Sequence, residues 1–101
     1  MIANELFAYQ IPFRYEMAHE FGDVKIYPDF TIYHPMSNKI ILWEHFGLMD
    51  NNSYAQNAKI KLGTYIDANY IPGNNLIVTY ESKEMPLDIN YVSLLISYHF
   101  G

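Results

Sequence analysis

Two runs dense in β-branched and aromatic residues, VKIYPDFTIYH at 24–34 and KIILWEHF at 39–46, flank the turn-forming Pro35-Met36-Ser37-Asn38. Strand formers on both sides of a turn predict an antiparallel β-hairpin. Upstream, residues 1–9 join good helix formers to apolar Ile2, Leu6 and Phe7 and predict a helix. Residues 11–20 open with a proline and continue as an aromatic-rich extended run, predicting a short strand that ends at Phe21-Gly22-Asp23.

Downstream, Asn52 or Ser53 can cap a helix reaching about residue 69, with Tyr54, Ala58, Leu62, Tyr65 and Ile66 as its apolar stripe. Ile71-Pro72-Gly73-Asn74 stops that helix. LIVTYE at 76–81 then reads as a strand, and Asp88 caps a last amphipathic helix through about residue 98. The expected order is α-β-β-β-α-β-α. A strand on each side of the long helix makes a β-α-β crossover, so the fold class is α/β, specifically an α+β arrangement with helices packed on a mixed sheet.

Composition bounds this picture more than it sharpens it. With 101 residues, 50% of them hydrophobic, the chain can bury one core and reads as a single domain. The absence of cysteine excludes disulfides, thiolate metal sites and a cysteine nucleophile, and suits a reducing cytoplasm. No stretch approaches the roughly 18 apolar residues of a membrane span, so no membrane role is expected. Six Lys and Arg stand against eleven Asp and Glu, a net charge of -5, which leaves no basic stripe for strong nonspecific DNA affinity. Aromatics reach 17%, ten of them Tyr, and most read as core residues because they alternate along strands.

The hairpin is where the chemistry concentrates. If residues 35–38 form the loop, His34 pairs with Lys39, Tyr33 with Ile40, Thr31 with Leu42 and Asp29 with Glu44. Opposite residues share a face. The same register sets Ile32 against Ile41 and Phe30 against Trp43 on the other face, so both faces are apolar and expect cover. Two carboxylates about 4 Å apart repel by roughly 4 kcal/mol at an effective dielectric near 20. A retained proton, a cationic side chain lying across both, or a hard metal ion taking an oxygen from each can relieve that repulsion. Solvated strand ends or a register slipped by one residue would remove the problem altogether.

The segment YPDFTIYHPMSNKIILWEHFG resembles the core of the PD-(D/E)XK nuclease superfamily, in which a strand-borne Pro-Asp precedes a second strand-borne acidic residue. Tyr27-Pro28-Asp29-Phe30 and Trp43-Glu44-His45 match that layout. From Pro12-Phe13-Arg14-Tyr15-Glu16 to Leu87-Asp88 the chain is similar to uncharacterised bacterial restriction-endonuclease-like domains with a Trp-Glu-His-Phe/Leu-Gly segment. The resemblance implies a restriction-endonuclease-like core, Asp29 and Glu44 as ligands of Mg²⁺ or Mn²⁺, and Glu16 as a further acidic catalytic residue. It implies metal-dependent hydrolysis of DNA, in repair, restriction or mobile-element processing, within a domain cut from a longer protein.

Two departures from the family pattern stand out. The family adds a glutamate from the first helix, where this chain has only Glu5, and its pattern begins ahead of Met1. The family's strand lysine would fall at residue 46, which is Phe46. Some members supply that cation from the next helix, and Lys61 lies on the expected stripe there, four residues before Tyr65. Lys61 is therefore the first candidate and Lys59 the second.

His45 is expected to point away from Glu44. His19, His34 and His99 show no zinc-ligand spacing. No GxxxxGK[ST] or GxGxxG occurs, and no serine sits in a hydrolase elbow. Two functional expectations follow: a DNA-cleaving enzyme, or a nuclease-like fold that no longer cleaves and serves as a binding or assembly module among other domains. A homodimer built on the tyrosine-rich surface is a third expectation.

Overall fold

The central hairpin closes in the register its sequence dictates. The computed structural model describes residues 1–101. Along it run α1 (Ile2–Ala8), β1 (Phe13–Tyr15), β2 (His19–Phe21), β3 (Val24–Ile26), β4 (Phe30–Tyr33), β5 (Ile40–Phe46), α2 (Asn52–Asp67), β6 (Leu76–Tyr80) and α3 (Ile89–Phe100). β4 pairs antiparallel with β5 as Tyr33 with Ile40, Ile32 with Ile41, Thr31 with Leu42 and Phe30 with Trp43. His34 locks the turn: its Nδ1 accepts the Met36 and Ser37 N–H groups at 3.0 and 3.2 Å. That leaves its proton on Nε2, which donates to the His99 carbonyl at 3.0 Å and ties the turn to α3.

The sheet has the order β1-β4-β5-β6, antiparallel except for the parallel β5–β6 pair that α2 connects. The fold is thus α+β around a mixed sheet. β5 lies inside the sheet, and its alternating side chains divide between two cores. Ile41 and Trp43, with Phe30, Ile32 and Ile77, pack under Leu6 of α1 and Val92, Ile96 and Phe100 of α3. On the other face Leu42 and Leu76 meet Tyr65 of α2 and Ile26 of β3. The helices start where polar caps allow: Asn51 accepts the Tyr54 N–H at 2.9 Å, one residue ahead of the expected cap, and Asp88 accepts that of Asn90 at 2.8 Å. No helix is long and apolar enough to cross a membrane.

Two expected strands are each divided. The run 11–20 yields β1 and the start of β2, because Glu16 adopts φ +44° and turns the chain at the end of β1. Gly22-Asp23, read as a terminator, is instead the turn of a second, two-stranded sheet in which Phe21 pairs with Val24. Gly22 takes φ +64° there, which a residue without Cβ adopts freely. The run 24–34 breaks at Pro28, which has no N–H to give to a ladder. The order becomes α-β-β-β-β-β-α-β-α.

Candidate functional site

Glu44 is the chemically conspicuous residue of β5. It sits 4% exposed on the face covered by α2, where hydrophobic strand neighbours leave its carboxylate little water. Two side chains one helical turn apart on α2 converge on one of its oxygens. The Tyr65 hydroxyl donates to Glu44 Oε1 at 2.6 Å, and Lys61 Nζ lies 2.8 Å from the same atom. Burial raises the Glu44 carboxyl to about 7, more than the bonds from Lys61 and Tyr65 can lower it, and the negative charge of Asp29 adds to the rise. Burial, with the bond to Glu44, likewise pushes the Tyr65 phenol up, so it remains a donor.

Asp29 is placed by Pro28. Continuing the β4–β5 register would set Pro28 against His45, but the strand has not yet begun there. Asp29 occupies the bend just before β4, and its Oδ2 accepts the His45 N–H at 2.7 Å. The carboxylate thereby substitutes for the missing ladder partner and is held at the end of the sheet, next in line to Glu44. Asp29 is not a strand residue facing Glu44 as the extended hairpin predicts. Its position is set by this side-chain bond.

The opposite face carries a chain of hydrogen bonds around His45. Trp43 Nε1 donates to Thr79 Oγ1 at 3.2 Å, and that hydroxyl meets His45 Nδ1 at 2.8 Å. His45 Nε2 lies 3.0 Å from Glu81 Oε1, while Glu81 Oε2 accepts the Leu87 N–H at 3.0 Å. Because the indole can only donate, the Thr79 proton is free to go to His45 Nδ1, which places the imidazole proton on Nε2 toward Glu81. The bonds from Leu87 and His45 hold the Glu81 carboxyl below its ordinary range. His45 points away from Glu44, as the strand alternation predicts, but into side-chain partners.

The remaining candidates separate. Glu16 closes β1, donates its N–H to the Asp29 carbonyl at 3.2 Å, and lines with Asp29, His45 and Glu81 a cleft of about 500 Å³. Lys59 is exposed, and no ion pair forms at it. Glu5 turns away from the site and accepts the Ser93 hydroxyl at 2.9 Å, joining α1 to α3. Phe46 is buried and stacks on Tyr80, ring centres 5.7 Å apart. Tyr65, Thr79 and Glu81 are not among the residues expected at the site. The four-residue spacing of Lys61 and Tyr65 was a signal for the first, and strand parity between Thr79 and Glu81 for the other two.

Asp29 and Glu44 suit a hard cation in one respect. Asp29 Oδ1 and Glu44 Oε2 bear no hydrogen bond, and no buried side-chain oxygen in the molecule lacks a partner, so both reach solvent. No group of three or more His, Asp or Glu is gathered to hold a metal ion. Asp29 lines a cleft with His45 and Glu81, while Glu44 lines a smaller one with Lys61 beneath α2.

Over 59 residues, 58% of this chain, the sequence is 32% identical to the uncharacterized protein MJ1519 of Methanocaldococcus jannaschii. The chain spans only 5% of that protein's length. No family model and no solved structure matches.

The buried carboxyl has a consequence for stability. Its folded value near 7 exceeds the unfolded 4.5, so the folded state holds this proton more tightly. The stability it contributes is complete below 4.5 and is lost as pH rises through 7. Glu44→Gln keeps an acceptor for Tyr65 and has no charge to bury, while Lys61, 34% exposed, can turn to water. Urea denaturation should show the variant gaining stability relative to wild type between pH 5 and pH 8. A difference independent of pH would mean that Glu44 is ionised in the folded protein throughout.

Proposed function

We propose that this domain is a metal-dependent deoxyribonuclease of the PD-(D/E)XK type, hydrolysing phosphodiester bonds at the sheet end that bears Asp29 and Glu44. The observation that carries this reading is the 2.8 Å contact between Lys61 Nζ and Glu44 Oε1. The cation that Phe46 cannot supply from β5 arrives from α2, against the acidic residue it would accompany on the strand. An antiparallel hairpin followed by a helical crossover to a parallel strand supports the same reading.

In this assignment Asp29 and Glu44 would hold the cation. When bound, Mg²⁺ supplies water activation and neutralises charge on the scissile phosphate. The chain's own part is positioning. Tyr65 and Lys61 fix the Glu44 carboxylate through Oε1, leaving Oε2 free, and the His45 N–H fixes Asp29 through Oδ2. The Lys61 ammonium, on a side chain one-third exposed, can also orient the attacking water and offset negative charge as the phosphorus–oxygen bond breaks. A DNA substrate and a chain without cysteine both fit a cytoplasmic setting. The net charge of -5 leaves much of the affinity for DNA to other domains of a longer protein.

The second reading, a nuclease-like module that binds without cleaving, draws on the same acidic balance and on Phe46, whose place in the stack with Tyr80 is structural. Calorimetric titration of Mg²⁺ and Mn²⁺ separates the two. The enzyme reading expects binding heat in the wild type that Asp29→Ala and Glu44→Ala both abolish. No heat in the wild type, or heat that survives both substitutions, leaves the module reading in possession.

A further inference from the structure

We propose that the cleft beside Asp29 receives an unpaired nucleobase of the strand being cut, guanine in preference to the other bases. This rests on the nuclease reading above and adds the class of substrate. At about 500 Å³ the cleft falls within the range of small-ligand sites. Tyr15 forms one wall at 63% exposure. Its ring is braced edge-on by Phe13 at 5.3 Å and tilted against Phe30 at 5.4 Å, so it is held in place while much of it stays open. That is the arrangement of a stacking platform.

The charge of the cleft tells which part of a nucleotide enters. No Lys or Arg side chain lines it, and its acidic side chains Glu16, Asp29 and Glu81 outnumber the Met1 amino group as charged groups. Away from a cation at Asp29 a phosphate is repelled there, and a group rich in N–H donors is attracted. Paired duplex DNA hides those donors and presents closely spaced phosphates to a protein with six Lys and Arg in total. A base freed from its partner offers a stacking face and a donor edge together.

Guanine fits the available acceptor best. Both Glu81 oxygens are engaged, by His45 and by the Leu87 N–H, and one Asp29 oxygen takes the His45 N–H. Glu16 lines the cleft and is exposed, with neither side-chain oxygen in a hydrogen bond or ion pair. Guanine places N1–H and N2–H side by side, so one carboxylate accepts both. Adenine and cytosine set a ring acceptor beside their amino group, and thymine flanks its N–H with two carbonyls. Each of those acceptors repels a carboxylate.

Fluorescence anisotropy tests this with thymidine oligomers carrying one central dG, dA or dC, single-stranded and as duplexes, with Ca²⁺ replacing Mg²⁺ to prevent turnover. The single strand with dG should bind tightest, and every single strand tighter than its duplex. Tyr15→Ala, an exposed change that circular dichroism can show to be folded, should weaken single-strand binding by about 5- to 150-fold and leave duplex binding unchanged. Glu16→Gln should abolish the preference for dG while keeping that for single strands. Duplexes bound as tightly as single strands, or a Tyr15→Ala variant that binds like wild type, would overturn the assignment. The metal calorimetry above contains no DNA, so metal binding without single-strand preference removes only the cleft's role. Tyr15-dependent binding without metal heat removes only the nuclease reading.

Discussion

On the proposed nuclease reading, Lys61→Met should reduce Mg²⁺-dependent cleavage of DNA by about 100- to 1,000-fold, the usual cost of removing one preorganised group that stabilises charge in a transition state. Methionine keeps most of the stem that packs along α2 and deletes only the ammonium. From the helix stripe alone, such a change at a helix margin is expected to leave folding stability almost untouched. The contact with Glu44 alters that expectation. Lys61 is one of the groups that lower the Glu44 carboxyl, so without it the proton is held more tightly and the charged form is disfavoured further. The variant should match wild type in stability near pH 5, where Glu44 is protonated, and fall below it at pH 8. Activity is therefore best compared at a pH and temperature where circular dichroism finds both proteins folded. Cleavage equal to wild type under those conditions would remove Lys61 from the mechanism. Cleavage by neither protein would favour the binding module.

Trp43→Ala should cost about 3–5 kcal/mol of folding stability, a large part of what a small domain possesses. The indole is fully buried between the sheet and the α1–α3 layer, touching Phe30 edge-on with ring centres 6.4 Å apart. Its Nε1–H also anchors Thr79, whose hydroxyl meets His45. The same substitution should therefore loosen His45 as well as open a cavity. Urea denaturation at pH 6 measures the first effect, and the chemical shifts of the His45 ring report the second. A loss under about 1 kcal/mol would mean that Trp43 is exposed and the β4–β5 register wrong.

Sequence by itself determined the hairpin register, the two faces of β5, the burial of Trp43, the β-α-β crossover and the Asp88 cap. These follow from interactions between near neighbours: side chains alternate every two residues in a strand, and a turn of known length admits one register. Placing Lys61 on the sheet-facing side of α2 was legible for the same reason, because helical periodicity is local. The tertiary structure decided the rest. Pro28 ends a strand that residue preferences would continue, and only the folded chain shows Asp29 making good the loss by taking the His45 N–H. Glu5 could have turned to the site or to α3, and the packing of α1 on α3 settles it. Which two of the α2 side chains meet Glu44, and which oxygen they choose, depends on how the helix lies across the sheet. The carboxyl near 7 depends on how completely that helix excludes water. Local preference draws the elements, but desolvation and long-range contact act only after the chain has closed on itself.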